Sequence, residues 1–292
     1  MVEETTWANE VIMTINFSNP SVPSRCTLES YSTSHEAGID YVMTIQSRDT
    51  SGNELTHDDD TYSITLTRSD GGGSEVLTAT ATHQSNGLYE ATLIPTPTVA
   101  GTYTMTVDLT NDYTARTGVA TAISGTPLTV TVVPGEIDPA QSHTDLSGSP
   151  LTTANVAFDF AISFVDLWGN VHDTTLNDEI ADGMVVTVTA DYVNHVNWVS
   201  PIRVADLANW STTYGTSVSG SASDNNDGTM TGTVTLFKAA TYRLSVKIDG
   251  VDILDSPYSS LEVEPGPLDA TSSVADNVPE LMYAGFDYDF DI

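Results

Sequence analysis

The side chains best suited to binding a metal ion form one acidic run in the first half of the chain. Asp58, Asp59 and Asp60 follow one another and offer the hard carboxylate oxygens that Ca²⁺ prefers. Asp224 and Asp227 flank a glycine turn further on. Neither group has the spacing of a helix–loop–helix calcium site. We expect solvated loop carboxylates, with a calcium ion at residues 58–60 as the alternative and no other cofactor.

Two sequons could carry N-linked glycans. Asn16-Phe17-Ser18 lies in an alternating segment whose apolar residues face away from Asn16. Asn209-Trp210-Ser211 lies in a loop inserted in the second half of the chain, which is also expected at the surface. The sequence therefore predicts surface glycosylation at Asn16 and Asn209.

The chain shows no recognisable catalytic motif. We find no glycine-rich phosphate loop, zinc-protease helix or nucleophile elbow, and the six histidines lack metal-ligand spacing. The single cysteine, Cys26, excludes an intrachain disulfide. It is expected to be a small buried residue, with an intermolecular disulfide as the alternative. The sequence predicts a protein that is not an enzyme.

The charge balance narrows the choice of partners. Lys and Arg number 8 against 40 Asp and Glu, which gives a net charge of −32. Such a surface repels nucleic-acid phosphates and anionic lipids, so neither partner is expected. No apolar run reaches the roughly 18 residues that a membrane span needs, so membrane insertion is not predicted. The scarcity of lysine and the abundance of Thr and Ser favour an extracellular or cell-surface location.

Side chains alternate strictly between apolar and polar along many short segments. Tyr103, Met105, Val107 and Leu109 share one face of such a segment, and threonines occupy the other. A period of two is typical of half-buried antiparallel strands, and no long 3.6-residue period occurs. The sequence predicts an all-β fold of sandwiches.

The same pattern occurs twice. Asp49-Thr50-Ser51-Gly52-Asn53 corresponds to Asp166-Leu167-Trp168-Gly169-Asn170, at an offset of 166 − 49 = 117. We interpret this motif as a tight turn, because glycine accepts positive φ and Asp and Asn bond the local backbone. Tyr103 and Tyr242 begin matched strands and resemble tyrosine corners. The predicted organisation is a terminal strand in 1–20, repeats at 21–135 and 136–266, and the first strands of a further repeat in 267–292.

These residues resemble filamin-type immunoglobulin-like repeats. The matching segments are 86–89, 100–103 and 125–127 in the first repeat and 224–229, 240–242 and 253–258 in the second. The resemblance implies a seven-stranded sandwich and a scaffold or spacer role. No actin-binding calponin-homology region is present, so actin crosslinking is not implied. The acidity is closer to multi-repeat surface proteins of protists and microbes.

The second repeat carries an insertion at about 192–221. Gly87 and Gly228 are 141 residues apart, so about 24 residues (141 − 117) are extra. The insertion is rich in aromatic residues: His195, Trp198, Trp210 and Tyr214. A flap that packs on its own domain is expected, and a binding surface is the alternative.

Both ends of the sequence match parts of a repeat. Each end has an apolar face that needs cover, and the residues predicted to contact another subunit are Val11, Met13, Ile15, Phe17, Phe286, Tyr288, Phe290 and Ile292. We therefore expect a structural subunit of an extracellular fibre or surface array that assembles with itself, head to tail, by exchanging or adding terminal strands. The alternative is a fragment of a long surface repeat protein. It would act as a spacer, or as an adhesin or carbohydrate-binding module through the aromatic insertion.

Overall fold

The regular structure of this chain is β-strand. The computed structural model describes residues 20–56, 59–72, 75–111, 119–146, 150–172, 184–194 and 217–267, and every regular element in these ranges is a strand. The prediction of an all-β fold is confirmed. None of the described residues forms a helix that could cross a membrane. The chain divides into a first unit, Met1–Glu136 with Trp168–Asn170, and a second unit, Ile137–Leu167 with Val171–Ile292.

The first unit is a two-sheet sandwich. Its strands are β1 (Thr27–Ser30), β2 (Ser34–Glu36), β3 (Val42–Gln46), β4 (Thr61–Arg68), β5 (Val76–Thr80), β6 (Thr82–Ser85), β7 (Leu88–Thr92), β8 (Gly101–Asn111), β9 (Thr121–Ala122) and β10 (Leu128–Val133). One sheet has the order β1-β3-β7-β6. The other has the order β2-β10-β8-β4-β5, with β9 paired to β8. The described pairings are antiparallel except for β2 with β10, which is parallel.

The core of the first unit follows from the alternation in its strands. In β4, Tyr62, Ile64 and Leu66 are fully buried, while Ser63 and Thr65 between them are partly exposed. In β8, Met105 and Val107 are buried in the same way, and Val107 pairs with Ile64. Burial of one such side chain contributes roughly 1.5–3 kcal/mol, so the alternation fixes which face of each sheet turns inward.

The second unit repeats this architecture. Its strands are β11 (His143–Thr144), β12 (Leu151–Thr153), β13 (Ala157–Ser163), β14 (Val186–Asn194), β15 (Ser217–Ser219), β16 (Ser221–Asp224), β17 (Thr229–Thr235), β18 (Ala240–Ile248), β19 (Val251–Asp252) and β20 (Tyr258–Glu264). The sheet orders are β11-β13-β17-β16 and β12-β20-β18-β14-β15, with β19 paired to β18. Strand β12 runs parallel to β20. Its core contains Phe160, Ile162, Leu244 and Val246.

The strand order is that of an immunoglobulin-like sandwich. In each unit the four-stranded sheet has the ABED order, and the other sheet contains the CFG strands with further short strands added to it. One of these short strands pairs in parallel with the last long strand. The prediction of tandem immunoglobulin-like sandwiches is confirmed. The two units also share a cis peptide bond at matched positions, Thr126–Pro127 and Ser256–Pro257.

The predicted insertion falls between two strands of the second unit. Strand β14 continues to Asn194 and β15 starts at Ser217, so the two ends of the predicted range 192–221 are strand residues. The aromatic residues of the insertion lie outside the described ranges. They are His195, Trp198, Trp210 and Tyr214.

Candidate functional site

A buried tyrosine fixes one loop in each sandwich. The Tyr103 hydroxyl donates to the carbonyl of Val99 at 2.8 Å, and the Tyr242 hydroxyl donates to the carbonyl of Lys238 at 3.3 Å. In both cases the acceptor lies four residues upstream, as in a tyrosine corner. Burial raises the pKa of both tyrosines, so both stay protonated donors. We call the held segments, Thr98–Ala100 and Phe237–Ala239, the corner loops.

Charged groups also support the first corner loop. Arg68 Nε lies 2.7 Å from Asp70 Oδ1, and Arg68 Nη2 donates to the carbonyl of Ala100 at 3.2 Å. The hydrogen bond from Arg68, with one from the Gly72 amide, lowers the pKa of Asp70 to about 2. The first corner loop is therefore bonded at the Val99 carbonyl by Tyr103 and at the Ala100 carbonyl by Arg68. Glu75 Oε2 lies 2.5 Å from the Tyr103 hydroxyl as a second acceptor.

The Asp-x-x-Gly-Asn motif of the first sandwich forms the expected tight turn. Asp49 Oδ1 accepts from the amides of Ser51 and Asn53, both at 2.8 Å. The Asn53 side-chain amide donates to Asp49 Oδ2 at 3.0 Å. Gly52 has φ +84° and the matched Gly169 has φ +87°, a backbone conformation that favours glycine. Ser51 and Asn53 stand exposed at the tip.

Residues 168–170 cover the corner loop of the first unit. Asn170 Oδ1 accepts from the Ala100 amide, and Asn170 Nδ2 donates to the Thr98 carbonyl, both at 2.8 Å. The Trp168 ring lies against Gly38: a Cβ at Gly38 would be 1.7 Å from Cη2 of the indole. Glycine at position 38 is therefore required for the indole to fit.

The matched surface of the second unit is exposed and partly apolar. Phe237 begins the second corner loop and is 63% exposed, and the neighbouring Val156 is 52% exposed. Asn155, whose amide donates to the Leu236 carbonyl at 2.7 Å, takes the place of Gly38. We call Asn155, Val156 and Phe237–Ala239 the Phe237 patch.

A buried polar network lies at one end of the first sandwich. The hydroxyls of Ser21 and Ser47 both donate to Asp60 Oδ2, the latter at 2.6 Å. Ser47 Oγ lies 2.6 Å from the Tyr62 hydroxyl, which in turn lies 3.3 Å from Cys26 Sγ. These side chains come from separate segments and meet only in the folded unit.

The network has no evident catalytic use. Burial raises the pKa of the Cys26 thiol, so the sulfur is not a ready nucleophile. Burial also raises the pKa of Tyr62. Cys26 is fully buried and carries no disulfide. The hydroxyls of Ser21 and Ser47 bond Oδ2 of Asp60, whereas its buried Oδ1 has no hydrogen-bond partner among the described residues. The network links separate segments at this end of the sandwich.

The predicted calcium ligands occupy different environments. Asp58 lies outside the described residues, Asp59 is exposed and Asp60 is buried in the polar network. Among the described residues, no group of three or more His, Cys, Asp or Glu is arranged to hold a metal ion. A calcium ion at residues 58–60 stays a prediction.

The other predicted site residues lie outside the described ranges. They are the glycosylation sites Asn16 and Asn209 and the subunit contacts Val11, Met13, Ile15, Phe17, Phe286, Tyr288, Phe290 and Ile292. Sequence reasoning missed the Phe237 patch. The signal that could have found it is the replacement of Gly38 by Asn155 and of Thr98 by Phe237 at matched positions.

Comparison with solved structures returned surface proteins and a filamin domain. The Escherichia coli adhesin FdeC is 16% identical, with a TM-score of 0.46, over 85% of this chain and 66% of that one. Invasin, a bacterial integrin-binding protein, is 17% identical, with a TM-score of 0.48, over 85% and 41%. The Lin-41 filamin domain is 22% identical, with a TM-score of 0.31, over 39% and 97%.

This chain therefore spans 66% of the length of FdeC and 41% of that of invasin. Likeness at this level concerns the fold alone. No protein-family model matches the sequence, and no curated protein matches it significantly.

Proposed function

We propose that this chain is a non-catalytic structural module of an extracellular fibre or cell-surface array. The observation that carries the proposal is the repetition of one complete sandwich, with the same two sheet orders and the same parallel strand, in two successive units. Each such unit has its own hydrophobic core, so the unit can be repeated along a chain without a change in its fold. The net charge of −32 keeps such a surface soluble.

The described chemistry fits a structural role. The hydroxyl of Ser47, at Asp60, and that of Tyr103, at the first corner loop, are bonded to the protein's own groups. These bonds hold separate segments of a sandwich together. A spacer or scaffold needs such a framework, because it must keep a fixed distance and orientation.

We further propose that copies assemble head to tail through their terminal segments. Support comes from the alternating apolar faces of residues 11–17 and 286–292, which match strands of a repeat. Strands β2 and β12 stand at the edges of their sheets, and an added strand would have to pair at such an edge.

The test is the assembly state of the full chain and of a chain lacking residues 281–292. We expect filaments or concentration-dependent oligomers from the full chain, seen by negative-stain imaging and sedimentation, and their loss in the truncated chain. Monomers at every concentration would overturn head-to-tail assembly. Measured turnover of a substrate would overturn the non-catalytic role.

The rival function is an adhesin or carbohydrate-binding module that uses the aromatic residues between β14 and β15. Deletion of residues 195–216 separates the two ideas. Loss of binding to glycans or host cells, with assembly unchanged, would favour the adhesin.

A further inference from the structure

The two corner loops occupy matched positions in their units. Residues 168–170 pack on the first loop, whereas Phe237 in the second is 63% exposed. Tyr103 and Tyr242 fix the two loops in the same way, so Thr98 corresponds to Phe237 and Ala100 to Ala239. Gly38 and Asn155 also correspond: each donates its amide to the carbonyl of the residue just before the corner loop, Pro97 in the first unit and Leu236 in the second.

In the first unit this surface is closed by one tripeptide. Asn170 bonds both the Ala100 amide and the Thr98 carbonyl through its side chain, and Trp168 fills the space above Gly38. A corner loop of this fold can therefore bind a Gly-Asn turn. The loop backbone bonds the Asn side chain, and the residue before the Gly packs beside the loop.

The sequence contains a second turn of that type. Ser51-Gly52-Asn53 matches Trp168-Gly169-Asn170, and the two glycines share nearly the same φ. Its tip is exposed. In the first unit a large side chain, Trp168, faces the small Gly38. The small Ser51 would face the larger Asn155, so the sizes remain complementary.

We propose that the Ser51–Asn53 turn of one copy binds the Phe237 patch of a second copy. Asn53 accepts a hydrogen bond from the Ala239 amide and donates one to the Phe237 carbonyl, in the pattern of Asn170. Phe237 and Val156 lose water on contact. This inference rests on the proposed head-to-tail assembly and names one contact within it.

The size complementarity supplies the experiment. Self-association of the full chain is measured by sedimentation velocity over a concentration series. Ser51→Trp places a large ring against Asn155, and we expect it to weaken association about tenfold or more. Phe237→Ser should have a similar effect. The double variant Ser51→Trp, Asn155→Gly copies the pair present in the first unit and should restore association.

Two controls keep the result interpretable. Ile94→Ser removes an apolar side chain that is 77% exposed outside the patch, and should leave association unchanged. The thermal unfolding of each variant shows whether it is folded. Ser51→Trp lies on an exposed turn tip and Phe237→Ser on the surface, so folded proteins are expected.

The outcomes separate this contact from the assembly that it serves. If the chain associates but Ser51→Trp and Phe237→Ser have no effect, or if the double variant is not rescued, the contact is wrong and head-to-tail assembly stands. If the wild-type chain is monomeric at every concentration, both fail.

Discussion

The two sandwiches have one strand order, but the side chains at one end differ: a polar network in the first unit is matched by mostly apolar residues in the second. Strand pairing fixes the correspondence: Tyr62 pairs with Leu109 as Val186 pairs with Ile248, and Ile45 pairs with Tyr89 as Ile162 pairs with Met230. The first unit fills this end with Cys26, Ser47, Asp60, Tyr62 and Tyr89. The second unit places Ser142, Phe164, Met184, Val186 and Met230 at the matched positions.

This difference shows that the fold does not depend on the polar network. Buried polar groups must bond one another, since each unpaired group costs about 1–3 kcal/mol, whereas apolar side chains only need to fill space. In the first unit the hydroxyls of Ser21 and Ser47 serve the Asp60 carboxylate. In the second unit Phe164, fully buried, needs no partner. The comparison predicts that the two units respond differently to pH and to substitution.

The largest difference is expected at alkaline pH. Burial raises the pKa of Tyr41 to about 12, and also raises the pKa of Tyr62 and Tyr103, above the value of about 10 in an unfolded chain. Their contribution to stability is complete below pH ~10 and is lost as the pH rises through the folded values. Among the described residues, the second unit has fewer buried tyrosines than the first, so we expect the first unit to open at lower pH. Hydrogen exchange of the full chain, read by mass spectrometry for each unit, checks this. Loss of protection at the same pH in both units would contradict it.

A cavity in the second unit should have the next largest effect. Phe164→Ala removes a fully buried ring from the core, at an expected cost of about 3–5 kcal/mol in the free energy of unfolding of that unit. Ser47→Ala at the matched position should cost about 1 kcal/mol in the first unit. Denaturant unfolding of each variant measures both. Equal losses would show that the two ends are not packed differently.

Removal of the Asp60 carboxylate should lower the free energy of unfolding by less than the cavity at Phe164 does. Asp60→Ala leaves the hydroxyls of Ser21 and Ser47 without their acceptor, and we expect a loss of about 1–3 kcal/mol confined to the first unit. Asp59→Ala is the matched control on the exposed neighbour and should stay within about 0.5 kcal/mol of wild type. A larger loss of stability for Asp59→Ala than for Asp60→Ala would show that the Asp60 carboxylate does not stabilise this end of the sandwich.

The smallest loss in the free energy of unfolding is expected when the hydroxyl of a tyrosine corner is removed. Tyr103→Phe and Tyr242→Phe each remove one hydroxyl, for an expected loss of about 0.5–1.5 kcal/mol. The shorter bond of Tyr103, 2.8 Å against 3.3 Å, predicts the greater loss in the first unit. Thermal unfolding of the two variants measures the order, and a reversed order would show that bond length does not rank the corners.

Features with a local signal could be predicted from the sequence, and features built from distant segments could not. Alternation at Tyr103, Met105 and Val107 indicated a strand and its inward face, and these residues are buried. The Asp-x-x-Gly-Asn turns follow from local chemistry. Asp60 looked like one of three acids in a loop. Its burial depends on Ser21 and Ser47, which lie 39 and 13 residues away, and no period in the sequence reports that contact.

The Phe237 patch shows the same limit. An isolated phenylalanine after an alternating strand resembles a core residue, and only the position of the corner loop turns it outward, with 63% of its surface exposed. The offset of 117 relates Gly38 to Asn155, but nothing in the sequence indicates that the Trp168 ring packs against Gly38.

The parallel pairing of β2 with β10, and of β12 with β20, bears on how each sandwich responds to mechanical force. Ser34, His35 and Glu36 pair with Thr131, Val132 and Val133 in one register, near the chain entry and exit of the first sandwich. A pull on the two ends slides these strands past each other along their length. All the bonds of the pair then share the load and must break together, so each sandwich resists stretching better than a hairpin that unzips one bond at a time.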